Sequence, residues 1–436
     1  MTSQGNVYSG TSGNASYVQT KLVAPHKPDV LLDGGQIVSR SKPTYADYAV
    51  SDFSSAKAAG AKGDGDTDDT TALQAWIDAD WGCKLLYLDA GTYLVSDTIT
   101  IPAGTQILGE AWSTILGYGP AFHSQKNPKV VIKVGEEGSS GVTEISDIVF
   151  GTRGPGTCSQ SSGWRTVLIY CAAPGAIVVE WNVRDPEGQQ GVAAAWDTHV
   201  RLGGAAGTSL TDVECPTLTN STLSNCFAAF LGFHLTSGAS AYLEGLWVWL
   251  ADHALDGTQG QVSIYSGRGL LSESQGPVWL IGTGSEHHAL YQYSFVDAAN
   301  HYGGLMQTET PYYQPVPAPP APFVSNPAFH DPVFDNIIAS WALWVENSQG
   351  ILVYGMFSLL TEERDELICF GLGAGFYSFF INYNQTCVGN FNCQDQIVNI
   401  DCDSDIHIYQ LSTVATTHQL SVGESPVINQ ADNRDG

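Results

Sequence analysis

The chain is poor in positively charged residues. Its 436 residues include 17 lysines and arginines against 44 aspartates and glutamates, a formal net charge of −27 at pH 7. Such a charge repels nucleic acids and anionic lipid surfaces. We therefore predict no nucleic-acid partner and no membrane partner, whereas a neutral polysaccharide is compatible with it. Two of the rare cations, Arg201 and Arg268, are expected to be structural ion-pair partners.

Long apolar runs are also absent. No stretch approaches the roughly 20 apolar residues that a membrane-spanning helix needs. Residues 1–20 are rich in Ser, Gly and Asn and have no apolar core, so they do not resemble a secretory signal peptide. The rest of the composition, with 47 glycines and 19 tyrosines, is typical of secreted β-proteins. We expect an extracellular monomer.

Cysteine is infrequent, and its spacing does not indicate zinc. None of the nine cysteines belongs to a Cys-x-x-Cys pair. Cys215 with Cys226, and Cys387 with Cys393, are spaced for short disulfide loops, with free thiols as the alternative. The acidic run at 64–69 lacks the spacing of an EF-hand loop, so no metal site is predicted.

Short β-type segments dominate the sequence after residue 84. Examples are 85–88, 98–101, 130–134 and 176–181, separated by Gly, Asn or Asp without helical patterns between them. Strands at this density fit a sandwich, a propeller or a parallel β-helix. A single helical pattern precedes them, with Thr67 or Asp68 as candidate N-cap. A helix there would cap the open end of a solenoid, which favours the β-helix.

The predicted organisation is therefore one all-β domain with an N-terminal extension. Residues 1–50 show no clear periodicity and are expected to be an irregular tether or linker. Residues 51–436 are expected to form a single right-handed parallel β-helix with a short N-terminal capping helix near 68–80. The proline-rich stretch 315–322 is expected to be a surface loop.

Two glutamates, Glu286 and Glu309, lie 23 residues apart. One β-helix coil takes about 20–30 residues, so the two are expected on neighbouring strands about 4.8 Å apart. Paired carboxyls with aromatic neighbours are the equipment of a glycoside hydrolase. An inverting hydrolase would need its carboxyls roughly 6.5–9.5 Å apart, which is more than direct stacking gives, so under that mechanism at least one of the two is expected at a turn. Pro311 supports that expectation for Glu309.

Aromatic and ionisable residues adjoin both glutamates. Tyr312 and Tyr313 follow Glu309, and we expect them to contact the substrate and to raise the pKa of Glu309 by shielding it from water. His287 follows Glu286, and we expect it to favour the charged form of that carboxyl and to contact the substrate.

Further substrate-binding candidates come from earlier coils. Asp252 and Asp256 are candidates to bind sugar hydroxyls or to orient water, with turn stabilisation as the alternative. Trp196 is a candidate to stack on a pyranose ring. Trp247 and Trp249 share one face of a strand, and packing in the core is favoured for them if that face points inward.

Several segments carry a family resemblance. Residues 61–70 resemble the opening of pectate-lyase-like β-helices. The more specific segments are 196–208, 247–253, 265–269, 274–279, 284–288 and 307–315. Together they resemble the C-terminal half of fungal exo-β-1,3-glucanases of glycoside hydrolase family 55.

The resemblance implies an exo-acting, inverting hydrolase of β-1,3-glucan that needs no cofactor. Glu309 matches the general acid of the family, and Glu286 matches its second catalytic glutamate. Family members carry two tandem β-helices with the active site between them, and this chain starts near the linker to the second. We therefore expect an N-terminal β-helix of the same enzyme as a missing partner, and weak or no activity without it.

Two inserts of about 18 residues, 156–173 and 356–373, interrupt the family-like sequence. We hypothesise that they are short introns translated in frame, with genuine surface loops as the alternative. Two other functions stay open. A non-catalytic glucan-binding β-helix is one, and a polysaccharide lyase is the other, although lyases of this type need basic residues and this chain has few.

Overall fold

The computed structural model describes residues 2–11, 13–21, 25–162, 165–217, 225–256, 260–354, 375–377, 381–382, 385–386 and 394–433. Within these ranges the chain has one α-helix, Thr70–Asp80. Nearly all other regular structure is β, in two long sheets of 16 and 11 strands. Successive strands pair in parallel with the strand one coil away. The predicted parallel β-helix is confirmed.

The 16-stranded sheet folds into two walls. The first wall contains Phe53–Ser55, Leu85–Tyr87, Ala193–Trp196, Ala241–Glu244, Gln349–Tyr354 and Ile406–Tyr409. The second wall contains Asp64–Asp68, Thr92–Val95, His199–Leu202, Trp247–Leu250, Gly375–Tyr377 and Ser412–Val414. Four long strands cross both walls: Gln106–Gly117, Thr143–Thr152, Val278–Glu286 and Ala299–Glu309.

A column of left-handed residues makes the bend between these two walls. Asp147, Asp197, Gly245, Gly282 and Leu305 have φ values of 58°, 47°, 67°, 59° and 72°. A Cβ atom on Gly245 would lie 2.7 Å from Asp197 Oδ1, so glycine suits this rung for space as well as for φ. Each coil therefore bends at the equivalent position, and the strands of the second wall start in register with one another.

The third wall is the 11-stranded sheet. Its strands are Ile99–Ile101, Lys129–Val134, Ala176–Trp181, Phe227–Leu235, Tyr265–Ser272, Tyr291–Val296, Trp341–Glu346, Gln394–Gln396, Val398–Ile400, Thr416–Val422 and Ser425–Asn429. Apolar side chains from the three walls fill the interior. Val200 and Val248, for example, are paired on adjacent coils and are both fully buried. Stacking of this kind buries an inner face that a single coil cannot bury alone.

The capping helix begins one residue later than the sequence indicates. Its N-cap is Asp69, so the predicted caps Thr67 and Asp68 are wrong. The Asp69 carboxylate instead accepts hydrogen bonds from the backbone N–H groups of Lys62 (2.7 Å) and Gly63 (2.9 Å). Satisfying backbone donors in a tight turn thus accounts for this carboxylate of the acidic run without a metal ion.

Part of the predicted tether is packed on the outer face of the first wall. Leu31 and Val38 are buried there, and the indole Nε1 of Trp279 donates to the carbonyl of Leu31 at 3.2 Å. Lys42 Nζ lies 2.7 Å from Asp147 and 2.8 Å from Asp197, across two rungs of the bend. The remaining short strands are two antiparallel pairs at the N-terminus and one late in the chain: Thr2–Val7 with Ser16–Lys21, Leu32–Asp33 with Gln36–Ile37, and Ile381–Asn382 with Gln385–Thr386.

The predictions on cysteines and inserts are tested in part. Cys215 and Cys226 are disulfide-bonded, as predicted, whereas Cys387 and Cys393 lie outside the described residues. Within the first insert, Gly156–Ser162 and Arg165–Cys171 form an antiparallel hairpin separate from the walls. The second insert lies outside the described part of the chain. No helix in the described residues is long and apolar enough to cross a membrane.

Candidate active site

Glu286 and Glu309 are register partners at the ends of adjacent strands of the second wall. Their neighbours Ser285 and Thr308 are fully buried toward the interior, and side chains alternate along a strand. Both glutamates therefore point to the outer surface of this wall. The prediction that they lie on neighbouring coils is confirmed, but the prediction that one sits at a turn is wrong, because each is the last residue of its strand.

His287 lies against both carboxyls. Its Nε2 is 3.9 Å from a Glu286 oxygen and 3.7 Å from a Glu309 oxygen. Its Nδ1 is 3.2 Å from the carbonyl of Thr310, which can only accept, so Nδ1 carries the hydrogen. Burial lowers the pKa of His287 to about 4. The neutral ring therefore directs the lone pair of Nε2 toward the glutamates.

A neutral His287 changes the predicted state of Glu286. The sequence predicts that the histidine favours the charged carboxylate; this prediction is wrong, because the ring carries no positive charge near neutral pH. Burial and the nearby charge of Glu309 raise the pKa of Glu286 well above its usual range. Burial, followed by the charge of Asp252, raises the pKa of Glu309 to about 7. The pair therefore retains a proton near neutral pH.

The two glutamates differ in access to solvent. The Glu286 side chain is 8% exposed and the Glu309 side chain is 20% exposed. Glu309 is therefore the better placed of the two to donate a proton to a bound substrate. One oxygen of each carboxyl and one nitrogen of His287 lie within 4.8 Å of one another, a set that could also hold a cation.

Tyr312 and Gln307 hold the Glu309 carboxyl from two sides. The Tyr312 hydroxyl is 3.4 Å from Oε2, and Gln307 Nε2 donates to Oε1 at 3.2 Å. No motif in the sequence singles out Gln307. Strand periodicity could have found it, because side chains alternate along a strand and a residue two positions before Glu309 therefore shares its face. Tyr313 instead packs its ring 4.9 Å from that of Tyr265 and is 4% exposed, so it turns away from the pair.

The other substrate-binding candidates divide between two places. Asp252 belongs to the site, since its charge raises the pKa values of Glu309 and Tyr312. Asp256 lies beside Arg201 instead, 3.9 Å from Nη2. Trp196 is 3% exposed and packs 6.1 Å from Tyr242, beneath the N-terminal segment. The structure does not bring Trp196 to the glutamates, and its ring offers no open face to a sugar.

Two tryptophans lie directly beside the pair. Trp249 is the register partner of Glu286 on the preceding coil, and its ring stacks on that of Trp247 at 4.9 Å. Both share the outward face, since Val248 between them faces the core. Trp249 is nonetheless 3% exposed and belongs to the core cluster, and Trp247 packs against that cluster, so the packing expected from the sequence is confirmed for Trp249. They form an aromatic wall next to the two carboxyls.

Comparison with known proteins gives consistent relatives. Residues 53–150 match the family described as rhamnogalacturonase A/epimerase, pectate lyase-like. The chain is 39% identical over 427 residues to a probable glucan endo-1,3-beta-glucosidase of Arthroderma benhamiae, covering 96% of this chain and 44% of that protein. It is 36% identical over 440 residues to a glucan 1,3-beta-glucosidase of Cochliobolus carbonum, covering 99% and 51%.

The chain spans about half the length of these curated relatives. Among solved structures it is similar to sacteLam55A from Streptomyces sp. SirexAA-E, with a TM-score of 0.45 and 16% identity over 86% of this chain and 51% of that chain.

Proposed function

We propose that this chain, a pectate-lyase-like β-helix homologous along nearly its whole length to fungal glucan 1,3-beta-glucosidases, is a glycoside hydrolase module that acts on β-1,3-glucan. The observation that carries the proposal is the coupled pair Glu286 and Glu309, which retains a proton near neutral pH beside an aromatic wall. Glycosidic bond cleavage needs such a carboxylic acid to protonate the leaving oxygen.

Glu309 is the proton donor in this proposal. Its raised pKa of about 7 leaves much of it protonated at neutral pH. Its greater exposure lets it reach a glycosidic oxygen, and Gln307 and Tyr312 fix its two oxygens. Glu286, more deeply buried, keeps the local charge low when it is protonated and raises the cost of ionising its partner when it is not.

The proposed reaction is exo-acting and inverting, and the distance between the two glutamates limits which group can activate the attacking water. Inversion needs a base roughly 6.5–9.5 Å from the acid, so that a water fits between them. Glu286 and Glu309 approach to within 4.8 Å, and a protonated Glu286 is a poor base. The water-activating group is therefore a different carboxylate, and Asp252 is the described candidate because its charge acts on both Glu309 and Tyr312.

The substrate follows from charge and relatives together. A net charge of −27 disfavours anionic polysaccharides. A neutral β-1,3-glucan carries no such penalty, and both relatives are named as glucan 1,3-beta-glucosidases, one of them as an endo-acting enzyme. We place the site of action outside the cell, where such a polymer is reached as part of a wall.

Digestion of laminarin tests the proposal. Proton NMR of the first products gives the anomer, and chromatography shows whether glucose or longer fragments appear first. Because the chain spans about half of its relatives, we expect only slow release of the α-anomer of glucose from the wild-type chain, and none detectable from Glu309→Gln. Initial β-anomer would instead favour retention with Glu286 as nucleophile, and mixed oligosaccharides would contradict exo action. An unsaturated product that absorbs in the ultraviolet would indicate a lyase, and binding without turnover a glucan-binding module.

A further inference from the structure

Trp112 is held out from the second wall by an irregularity in its strand. The pairing of Gln106–Gly117 with the next coil shifts register between Leu108 and Ser113, so residues 109–112 bulge outward. Ala111 in this bulge has a left-handed φ of 62°. Trp112 is 67% exposed, the most exposed tryptophan in the described part of the chain.

Hydrogen bonds pin the bulge. The Glu110 backbone N–H donates to Ser113 Oγ at 2.9 Å, and that hydroxyl donates to the carbonyl of Leu88 at 2.8 Å. The Glu110 carboxylate accepts from the backbone N–H of Ala90 at 3.2 Å and from the hydroxyl of Tyr87. The exposed indole is thus mounted on a fixed support, so a ligand that stacks on it orders little additional chain.

Arg201 lies between this indole and the aromatic wall of the site. Its guanidinium carbon is 5.4 Å from the ring centre of Trp112 and 5.6 Å from that of Trp249. Its other contacts are weak, a 3.3 Å hydrogen bond to the carbonyl of Gly204 and a 3.9 Å approach to Asp256. Its buried Nε has no hydrogen-bond partner among the described residues. Arg201 is therefore oriented by the two rings while its donors stay underused.

This group is continuous with the candidate active site. Arg201 pairs with Trp249, and Trp249 pairs with Glu286, on three successive coils. At a strand spacing of about 4.8 Å, Arg201 lies roughly 10 Å from Glu286 along the ladder. That distance exceeds one glucosyl ring, so only a longer chain bound at the glutamates would reach Arg201 and Trp112.

We infer that Trp112, Arg201 and Asp256 form a remote glucan-binding subsite that takes a glucosyl residue of a long β-1,3-glucan chain. This inference rests on the proposed function and extends it. The indole face stacks on the C–H face of a pyranose ring, while the guanidinium donates to hydroxyls and the Asp256 carboxylate accepts from them. Asp256 beside Arg201 and the large negative charge of the protein favour a neutral ligand over an anionic one.

Calorimetric titration of the full chain with laminarin and with laminaribiose tests the subsite. We expect Trp112→Ala to raise the Kd for laminarin about 2- to 10-fold, the range of one aromatic stacking contact. Laminaribiose is too short to reach from the glutamates to Trp112, so its Kd should rise much less in this variant. Arg201→Lys, which keeps the charge but lacks the planar fork, should also weaken laminarin binding. The matched control is Trp81→Ala, a 43% exposed tryptophan at the end of the capping helix.

Circular dichroism of each variant checks that the β-helix has folded. Unchanged laminarin affinity in Trp112→Ala, or an equal loss for the two ligands, would overturn the subsite while leaving the proposed function intact. An equal loss in Trp81→Ala would also overturn it, by showing a non-specific effect. A wild-type chain that neither binds nor hydrolyses laminarin would overturn the subsite and the proposed function together.

Discussion

The carboxyls of Glu286 and Glu309 are held together by the backbone, not by their side chains. The two residues are partners in one parallel ladder, and the backbone N–H of His287 donates to the carbonyl of Glu309 at 2.9 Å. Neither residue can move away without breaking that ladder. The repulsion between two ionised carboxylates at this position is therefore imposed by the fold, and it is relieved by keeping a proton on the pair.

The first prediction distinguishes the roles of the two glutamates by comparing substrates whose leaving groups need much or little protonation. Glu309→Gln keeps shape and hydrogen bonding but cannot donate a proton, so kcat on laminarin should fall about 10²–10⁴-fold. An aryl β-glucoside, whose leaving group needs little protonation, should partly restore turnover in Glu309→Gln. Glu286→Gln resembles the protonated carboxyl that the proposal assigns to Glu286, so it should keep far more laminarin turnover than Glu309→Gln. Rescue of Glu286→Gln equal to that of Glu309→Gln, or near-normal laminarin turnover by Glu309→Gln, would contradict the assignment.

The second prediction concerns the alkaline limb of the pH profile. Since Glu309 has a pKa raised to about 7 and acts protonated, kcat/KM on laminarin should fall as pH rises through that value. The Tyr312 hydroxyl stabilises the charged form, so Tyr312→Phe should move the limb to higher pH. Tyr313→Phe is the matched control, because that ring faces Tyr265 instead. A limb that stays in place in Tyr312→Phe, or moves equally in the control, would refute the argument.

The third prediction is that Glu286 destabilises the folded chain at alkaline pH. Its folded pKa lies well above its unfolded value of about 4.3. The folded state therefore binds the proton more tightly, and stability falls as pH rises from that unfolded value through the folded pKa. Glu286→Gln cannot ionise, so it should be more stable than wild type at pH 8 and about equally stable at pH 4.

Thermal unfolding at these two pH values measures the effect. The control is Glu136→Gln, whose side chain is 68% exposed and pairs with Lys133 on the surface. It should change Tm by the same small amount at both pH values. A Glu286→Gln gain that does not depend on pH would mean that packing, not ionisation, causes it.

The fold and the pairing of the glutamates were predictable because both depend on local periodicity. Strand-length segments and a 23-residue spacing determine which residues meet on adjacent coils, and the register of Glu286 with Glu309 follows. The resemblance to fungal β-1,3-glucanases is likewise confirmed by relatives that are 39% and 36% identical and whose alignments cover 96% and 99% of this chain. The extracellular location and the roles of the site residues remain predictions.

Other features depend on contacts that no local pattern encodes. Trp112 meets Arg201 only because a bulge redirects it across the wall. Trp196 is covered because an aperiodic N-terminal segment folds back over it. The neutral state of His287 follows from its depth, which sequence spacing does not reveal.

The last prediction concerns the strap, residues 310–340, which leads from Glu309 to the next strand of the third wall. Arg268 on that wall is fully buried and forms a two-point ion pair with Asp331 of the strap, with 2.6 Å from Nε to Oδ1. The expected structural role of Arg268 is thereby met. Phe329 of the strap packs 4.8 Å from Phe230, which also lies 3.8 Å from the guanidinium.

Asp331→Asn should cost about 3–5 kcal/mol of stability, because it leaves the charge of Arg268 buried without its partner. Denaturant unfolding measures this loss, and Glu136→Gln at the exposed Lys133 pair should cost less than about 1 kcal/mol. The double variant Arg268→Met with Asp331→Leu should recover most of the loss, because apolar replacements of similar volume remove the unpaired charge. The strap also carries Tyr312, whose hydroxyl lies against Glu309. Asp331→Asn should therefore lower kcat even when activity is measured at a temperature well below the Tm of the variant, where the chain is still folded. A cost under about 1 kcal/mol, or a double variant as unstable as the single one, would show that the ion pair does not anchor the strap.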